Sequence, residues 1–426
     1  MVRRALLVGC NYPGEPCELK GSANDVDRMH VLLTKKFGFK PTEILVLVDI
    51  DPRSRQPTGA NIRKSLRKLV DGAEPGDVLF FHFSGHGTQV PPDRGRRDET
   101  GYEECIVPSD MNLLTDDDFR ELVDRIPPGC NFTFIADACH SGGLIDNEKE
   151  QIGDRYSMGE GGPLGGRPRP PLRPEAGGGG LTDLVAEGIE AFSGAGGGKQ
   201  NSFMDAGVRY GGYLDSGDYG YSGKPHHTPL KNKSLPLNIL TSILSQRTGR
   251  SVKPGNIYQN LYDLFGEDAS PTVKVFVRIL LNKLEGEDGG RSHGLLGKIG
   301  GLASSLLKTK IDNDPSGGYP EDRQGEELRR HRRRQRRNYD AGILISACEP
   351  HESSADANPT NDPRDAYGAL SNAIQTVIGE SRGYLTNRQV VMAARRLLNE
   401  QGYKQHPCLY CSDRNADAYF LQPMPM

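Results

Sequence analysis

Two strand-like segments of the chain each end in glycine beside a residue able to do nucleophilic or acid–base chemistry. Phe132-Thr-Phe-Ile-Ala-Asp-Ala-Cys-His-Ser-Gly-Gly143 opens as an apolar, β-forming run, which reads as a buried strand closed by its Gly-Gly pair. Asp137, Cys139 and His140 therefore fall where that strand runs out into a loop. Val78-Leu-Phe-Phe-His-Phe-Ser-Gly-His-Gly87 repeats the arrangement and carries His86 between two glycines. If both strands lie in one parallel sheet, Cys139 and His86 emerge at the same edge, where open α/β sheets build their sites. Such a pair points to a thiol nucleophile with its base. A lone cysteine is more often a small buried hydrophobe. Here glycines flank both residues and let a substrate backbone approach, so catalysis is the reading taken.

The elements that must hold these residues alternate along the chain. Arg4 to Cys10 reads as a buried strand, followed by the turn Asn11-Tyr-Pro-Gly14. A helix opens at Asn24-Asp-Val-Asp27 and runs to about Lys36, with Asn24 or Asp25 as its cap. Ile44 to Val48 is the next strand, and Thr58-Gly-Ala-Asn-Ile62 leads an amphipathic helix to about Val70. A helix over Asp116 to Val123 separates the two site-bearing strands. Strands alternating with helices predict a doubly wound, mostly parallel α/β sheet flanked by helices.

Composition changes near Glu150. Gly161-Gly-Pro-Leu-Gly-Gly-Arg-Pro-Arg-Pro-Pro and Gly177 to Gly180 have no means of building a packed core and read as flexible. Order returns at Lys233-Ser-Leu-Pro-Leu, with helical patterns at 236–246, 256–265 and 271–284. His293 to Lys310 is amphipathic but weakened by glycines, so packing on the core is preferred to membrane contact. The arginine run within Glu326 to Arg337 suits a solvated linker, a nuclear signal or a nucleic-acid patch, and is a further candidate for self-cleavage. Gly342 to Cys348 is another apolar strand, followed by the loop Ser353-Ser-Ala-Asp-Ala357 and helices at Ala366 to Ile378 and Asn387 to Asn399.

Ser84-Gly-His-Gly87 and Asp137-Ala-Cys-His-Ser-Gly142, with the histidine roughly 50 residues before the cysteine, resemble the metacaspases, caspase-like cysteine proteases. The plant type II branch is the nearest pattern, since a strand starts near residue 4 and a long insert separates two caspase-like regions. The resemblance covers residues 1–150 and 338–426, and the insert only in places. It implies a caspase-like large (p20) subunit over 1–153, a linker with the self-cleavage site over 154–232, and a helical insert module over 233–310. An Arg-rich linker over 311–338 and a small (p10) subunit over 339–426 complete it.

In such a protease Cys139 attacks the scissile carbonyl and His86 shuttles the proton, with the backbone N–H groups of Gly87 and Cys139 as oxyanion donors. Asp25 and Asp137 match the family's pocket for Arg or Lys, which two carboxylates would hold by charge-assisted hydrogen bonds. The competing reading of Asp25 is the helix cap. Asp98, Glu99, Asp117 and Asp146 offer the hard oxygen ligands that calcium prefers, and the resemblance implies calcium (Ca2+) as the activator. Without it, these are solvated loop and helix-start acids. Within Leu230-Lys-Asn-Lys-Ser-Leu-Pro-Leu237, alignment on Ser-Leu-Pro-Leu places self-cleavage at Lys231, with Lys233 as rival and Lys224 disfavoured by Pro225. Lys231 would then occupy the acidic pocket as a pseudo-substrate. Ser22 stands where relatives often carry a cysteine just before the Asn-Asp of the first helix, so no auxiliary thiol role falls to it.

The bulk properties fit. At 426 residues the chain has room for two or three domains. A net charge of −3 is too near neutral to argue for a general polyanion partner. No stretch approaches the ~20 apolar residues of a membrane span, and the short Ala5-Leu-Leu-Val8 run is not a signal peptide. Eight scattered cysteines are expected as reduced thiols, and Cys408-x-x-Cys411 has no second ligand pair at zinc spacing. The expectation is a cytoplasmic, or also nuclear, monomeric zymogen cutting protein and peptide substrates, and its own linker, after Arg or Lys. By resemblance it would serve cell death, wounding or stress. The rival classes are a non-catalytic scaffold on the same fold and a nucleic-acid-associated protein acting through the arginine run, which is not the expected partner.

Overall fold

Apolar β-forming runs in this chain become strands, the central ones buried on both faces. β1 (Arg3–Gly9), β2 (Ile44–Val48) and β3 (Val78–Ser84) pair in parallel, β1 lying between the other two. A short antiparallel ribbon of β4 (Gly87–Val90), β5 (Glu103–Ile106) and β6 (Leu114–Thr115) follows. β7 (Asn131–Asp137) then pairs with β3. The structure, a computed structural model, describes residues 1–91, 102–145, 150–153, 230–277 and 342–423.

The same sheet continues past β7. β8 (Glu150–Ile152), β10 (Ile343–Ser346) and β13 (Cys408–Tyr410) give the order β2-β1-β3-β7-β10-β13-β8. β10 is parallel to β7, and β13 is antiparallel to both neighbours. A second small sheet, in the order β12-β11-β9, joins β9 (Leu230–Asn232), β11 (Ala355–Ala357) and β12 (Tyr367–Gly368). The mostly parallel α/β sheet is therefore as expected, and strands from the C-terminal region complete it.

Period-two alternation feeds two cores. Leu79, Phe81 and Phe83 of β3 face one, and Val78 and Phe80 face the other. The first core is covered by α2 (Gly59–Val70) and by α3 (Asp116–Val123). Helices α4 (Leu237–Thr248) and α5 (Ile257–Phe265), with a helical stretch over 271–277, extend that cover. The second core lies under α1 (Ser22–Phe37), α6 (Ala369–Glu380) and α7 (Asn387–Glu400). A last short helix, α8 (Asp413–Asp417), closes the chain.

One reading changes. α1 starts at Ser22 with no side-chain cap, so Asn24 and Asp25 lie inside its first turn and neither caps it. Cys408 and Cys411 are buried and in no disulfide, one of them on β13, so the Cys-x-x-Cys spacing is that of a strand and its exit. The glycine-rich stretches, His293 to Lys310 and the arginine run lie outside the described residues. No helix among the described residues is long and apolar enough to cross a membrane.

Phe81, Phe134 and Phe119 stack through the first core, with ring centroids 4.5 Å apart for Phe81–Phe134 and 5.0 Å for Phe119–Phe134. Phe134 lies on the strand that delivers the nucleophile. Phe134→Ala is expected to lower stability by about 3–5 kcal/mol in urea unfolding, by cavity creation.

Candidate active site

Strand register brings the reactive residues together. Gly9 of β1 pairs with Ser84 of β3, and Ser84 pairs with Asp137 of β7. His86 and Cys139 each lie two residues beyond those paired ends. The chains then close on each other, because a Cβ at Gly87 would sit 1.7 Å from the Cys139 carbonyl oxygen. Only glycine permits this approach. The same hypothetical Cβ lies 3.4 Å from the Cys139 nitrogen, so the two expected oxyanion amides share one small space.

His86 is held from three sides. Its backbone N–H donates to the Tyr12 hydroxyl at 2.8 Å, and the Tyr12 ring lies 4.9 Å from the imidazole. Its Nε2 lies 2.7 Å from the Cys17 carbonyl. A carbonyl only accepts, so Nε2 carries the proton and Nδ1 keeps its lone pair. Nδ1 is buried with no hydrogen-bond partner among the described residues, free to take a proton. Burial pushes the His86 pKa down to about 4, against the pull of the Cys17 carbonyl. The Cys17 carbonyl is the orienting group that side-chain motifs do not reveal.

The Cys139 thiol accepts from the Ser354 backbone N–H at 3.0 Å and reaches Asn232 Oδ1 at 3.4 Å. The Cys348 thiol donates to the Glu352 carbonyl at 3.4 Å, and the neighbouring Cys139 thiol together with burial raises the Cys348 pKa. Ser354 and Cys348 follow β10, so the C-terminal region furnishes one wall of the nucleophile's site.

Asp25 and Asp137 do form one pocket, but its occupant is Lys233. Lys233, Asp25 and Asp137 are all fully buried. The Lys233 Nζ lies 3.0 Å from Asp137 Oδ1 and 3.8 Å from Asp25 Oδ2, and donates to Ser84 Oγ at 2.9 Å. Ser84 in turn donates to Asp25 Oδ2 at 2.7 Å. Gly368 N–H donates to Asp25, and Ser371 N–H and Ser354 Oγ donate to Asp137. Burial disfavours the Lys233 ammonium, but Asp137, Asp25 and Asp356 outweigh it and hold its pKa above the ordinary value. Burial also raises Asp25, while Lys233 and the Ser371 hydrogen bonds overcome burial at Asp137 and lower it. The nearer carboxylate thus takes the charge.

The backbone around Lys233 lies as a substrate would. β9 pairs antiparallel with β11, and Lys233 N–H donates to the Ser354 carbonyl at 2.9 Å. Gly87 N–H donates to the Lys233 carbonyl at 2.9 Å, the role expected of an oxyanion donor toward a scissile carbonyl. Beyond it, Leu235 N–H donates to the Gly87 carbonyl at 2.8 Å.

Lys231 is therefore corrected as pocket occupant. It is exposed on β9, and its Nζ donates to the Glu18 carbonyl at 2.6 Å. A single residue, Asn232, separates the two lysines, so the alignment that favours Lys231 and the structure that seats Lys233 differ by only two positions along the chain. Ser84 was visible within its motif. Ser371, Gly368, Asn232 and the Cys17 carbonyl carried no sequence signal.

Of the expected calcium ligands, Asp98, Glu99 and Asp146 lie outside the described residues. Asp117 sits in the first turn of α3, where its carboxylate accepts from Arg120 and, at 2.9 Å, from Thr272 Oγ1. It is a hard oxygen donor of the right kind, but a cation there has to share it with a guanidinium.

Residues 3–148 match the family described as Metacaspase, peptidase C14 domain. The chain is 42% identical over 436 residues to Metacaspase-4 of Arabidopsis thaliana, covering 99% of this chain and 100% of that one. Metacaspase-6 and Metacaspase-7 of the same plant are 39% and 38% identical, again over 99% of this chain and all of theirs. With His86 and Cys139 at adjoining strand ends and relatives matching from end to end, the chain belongs to the metacaspases and is a caspase-like cysteine endopeptidase.

Proposed function

We propose that this metacaspase is made as a zymogen, cleaves after Lys or Arg, and activates itself by cutting between Lys233 and Ser234. The observation that carries this reading is Lys233: its ammonium fills the acidic pocket while its carbonyl accepts from Gly87 N–H. Two buried carboxylates, seated by Ser84, Gly368 and Ser371, suit a basic side chain and would reject an acidic one.

In the reaction, Cys139 Sγ attacks the carbonyl carbon while negative charge gathers on the oxygen facing Gly87 N–H. His86 Nδ1 takes the thiol proton and passes it to the departing amine, leaving an acyl-enzyme that water then hydrolyses. In the closed state Asn232 Oδ1 accepts both from the thiol and, at 2.7 Å, from the Ser234 N–H. Those contacts restrain the atoms that must react, so cutting requires the segment to shift.

Calcium is the proposed trigger, with Asp98, Glu99, Asp117 and Asp146 as its ligands. Support comes from the oxygen-rich chemistry of that set and from connectivity. Asp117 opens α3, which follows β6, and β6 pairs through β5 to β4, whose first residue is Gly87. Cytoplasmic residence and service in cell death, wounding or stress complete the proposal, and these rest on the family resemblance alone.

A gel time course with calcium or chelator, followed by N-terminal sequencing, tests the activation. The expected C-terminal fragment begins Ser234-Leu-Pro-Leu, forms only with calcium, and is absent from Cys139→Ala and Lys233→Ala. Lys231→Ala is expected to leave that cut in place, and a fragment beginning at Asn232 would restore Lys231 as the site. Asp117→Ala is expected to raise the calcium needed for half-maximal cutting by about tenfold, a loss of one hard ligand.

The pocket makes a separate prediction. A Cβ at Gly368 would lie 2.2 Å from the Lys233 Nζ and 2.3 Å from Asp137 Oδ2. Gly368→Ala is therefore expected to cut hydrolysis of Arg and Lys peptides on the order of a hundredfold, the scale of a disrupted buried ion pair.

A further inference from the structure

We propose that His140, the residue after the nucleophile, reads the side chain on the leaving-group side of the scissile bond (P1′) and favours a small hydroxyl residue there. This rests on Lys233 being the residue before that bond. His140 Nε2 lies 3.1 Å from Ser234 Oγ. The Ser234 backbone N–H is already committed to Asn232 Oδ1, so the hydroxyl is the part of Ser234 that His140 is left to read.

Both partners are fixed independently. On the substrate side, Lys233 is anchored in its pocket, and Leu235 is buried and held by Gly87 and by Thr88 Oγ1, which donates to its carbonyl at 2.8 Å. The intervening Cα has little freedom to turn its side chain elsewhere. On the enzyme side, His140 takes a left-handed φ of 51°, a backbone conformation that non-glycine residues rarely adopt. Ser141 Oγ donates to the Ala138 carbonyl at 2.9 Å, and Gly143 N–H donates to Glu104 Oε2 at 2.6 Å, pinning the loop on either side. A strained backbone held this firmly aims the imidazole across the cleft.

The electrostatics favour a hydroxyl over a charge. Burial lowers the His140 pKa, so the ring is neutral near pH 7 and pairs as a hydrogen-bonding group. Its Nδ1 is buried with no partner among the described residues. The contact with Ser234 is thus the ring's one side-chain hydrogen bond among those residues. Ser or Thr at P1′ satisfies it, whereas Ala or Val leaves a buried polar atom unpaired.

The test uses full-length protein with calcium and internally quenched peptides spanning Leu230-to-Leu237 sequence, with Lys retained before the bond and Ser, Thr, Ala or Val after it. Wild type is expected to prefer Ser and Thr over Ala by about fivefold in kcat/KM, the worth of one neutral hydrogen bond. His140→Ala should erase that ratio, and His140→Gln, which keeps a donor and an acceptor, should restore part of it. Should His140→Ala misfold, the wild-type peptide series and the self-cleavage rate of Ser234→Ala decide the matter alone. A flat P1′ profile in wild type, or an unchanged ratio in His140→Ala, overturns this proposal while leaving the basic preference intact. Failure to cut any Lys or Arg peptide overturns both together.

Discussion

A lysine ammonium buried between two carboxylates is the interaction on which this structure turns. Moving such charges out of water costs several kcal/mol per ion, and only pairing with full hydrogen bonding offsets it. The pocket supplies both. Asp137 comes from β7, Asp25 from α1, Ser84 from β3, and Ser371 and Gly368 from the C-terminal region. Lys233 therefore ties the first part of the chain to the last through a segment that crosses neither core strand. Remove the cation and two carboxylates face each other across a dry space, with Asp356 close by. Such a site is stable only with a positive charge in it or with a proton shared in its place. The proposed preference for a basic side chain thus follows from the protein's own need to neutralise the pocket.

The second constraint is the approach of two backbones. Gly87 can press against the Cys139 carbonyl only because it lacks a Cβ, and this contact carries an amide to the place where charge develops. Oxyanion stabilisation depends on donors fixed before the reaction begins. The β4–β5–β6 ribbon starts at Gly87, so the amide is anchored by a small sheet and not by a free loop. The neighbouring loop is held in the same way, through Gly143 and Glu104 of β5. One ribbon therefore positions both sides of the reacting bond.

Residue order made much of this legible. Apolar strands of period two, glycine at their ends, and a cysteine and histidine just beyond gave the sheet edge and the reactive pair, because each depends on local sequence. Asp137 was legible for the same reason, lying two residues from Cys139 on a strand. Asp25 was ambiguous because an acid at the start of a helix suits both a cap and a pocket. The long-range hydrogen bond from Gly368 to Asp25 decides that question, and nothing local encodes it. Lys233 and Lys231 differ only in which way an extended chain turns them. In a strand, residues two apart share a face, but the pairing ends at Asn232 and the chain turns at Lys233 into the pocket. The Cys17 carbonyl escaped notice because a backbone acceptor has no residue type to betray it.

The closed arrangement also sets the protonation of the reactive pair. Burial, helped by the Lys233 charge, depresses the His86 pKa to about 4, so the imidazole is neutral and has no positive charge to lend a thiolate. Asn232 Oδ1 meanwhile takes the thiol's hydrogen bond. The same short stretch contributes to both, through the Lys233 charge in the first and the direct contact of Asn232 in the second. In the proposed activation, displacing that stretch would take the Lys233 charge away from His86 and free the thiol in a single movement. On the proposed reading, the segment that presents the scissile bond is thus the one that keeps the nucleophile at rest, which would couple the chemistry of cutting to the release of the cut chain.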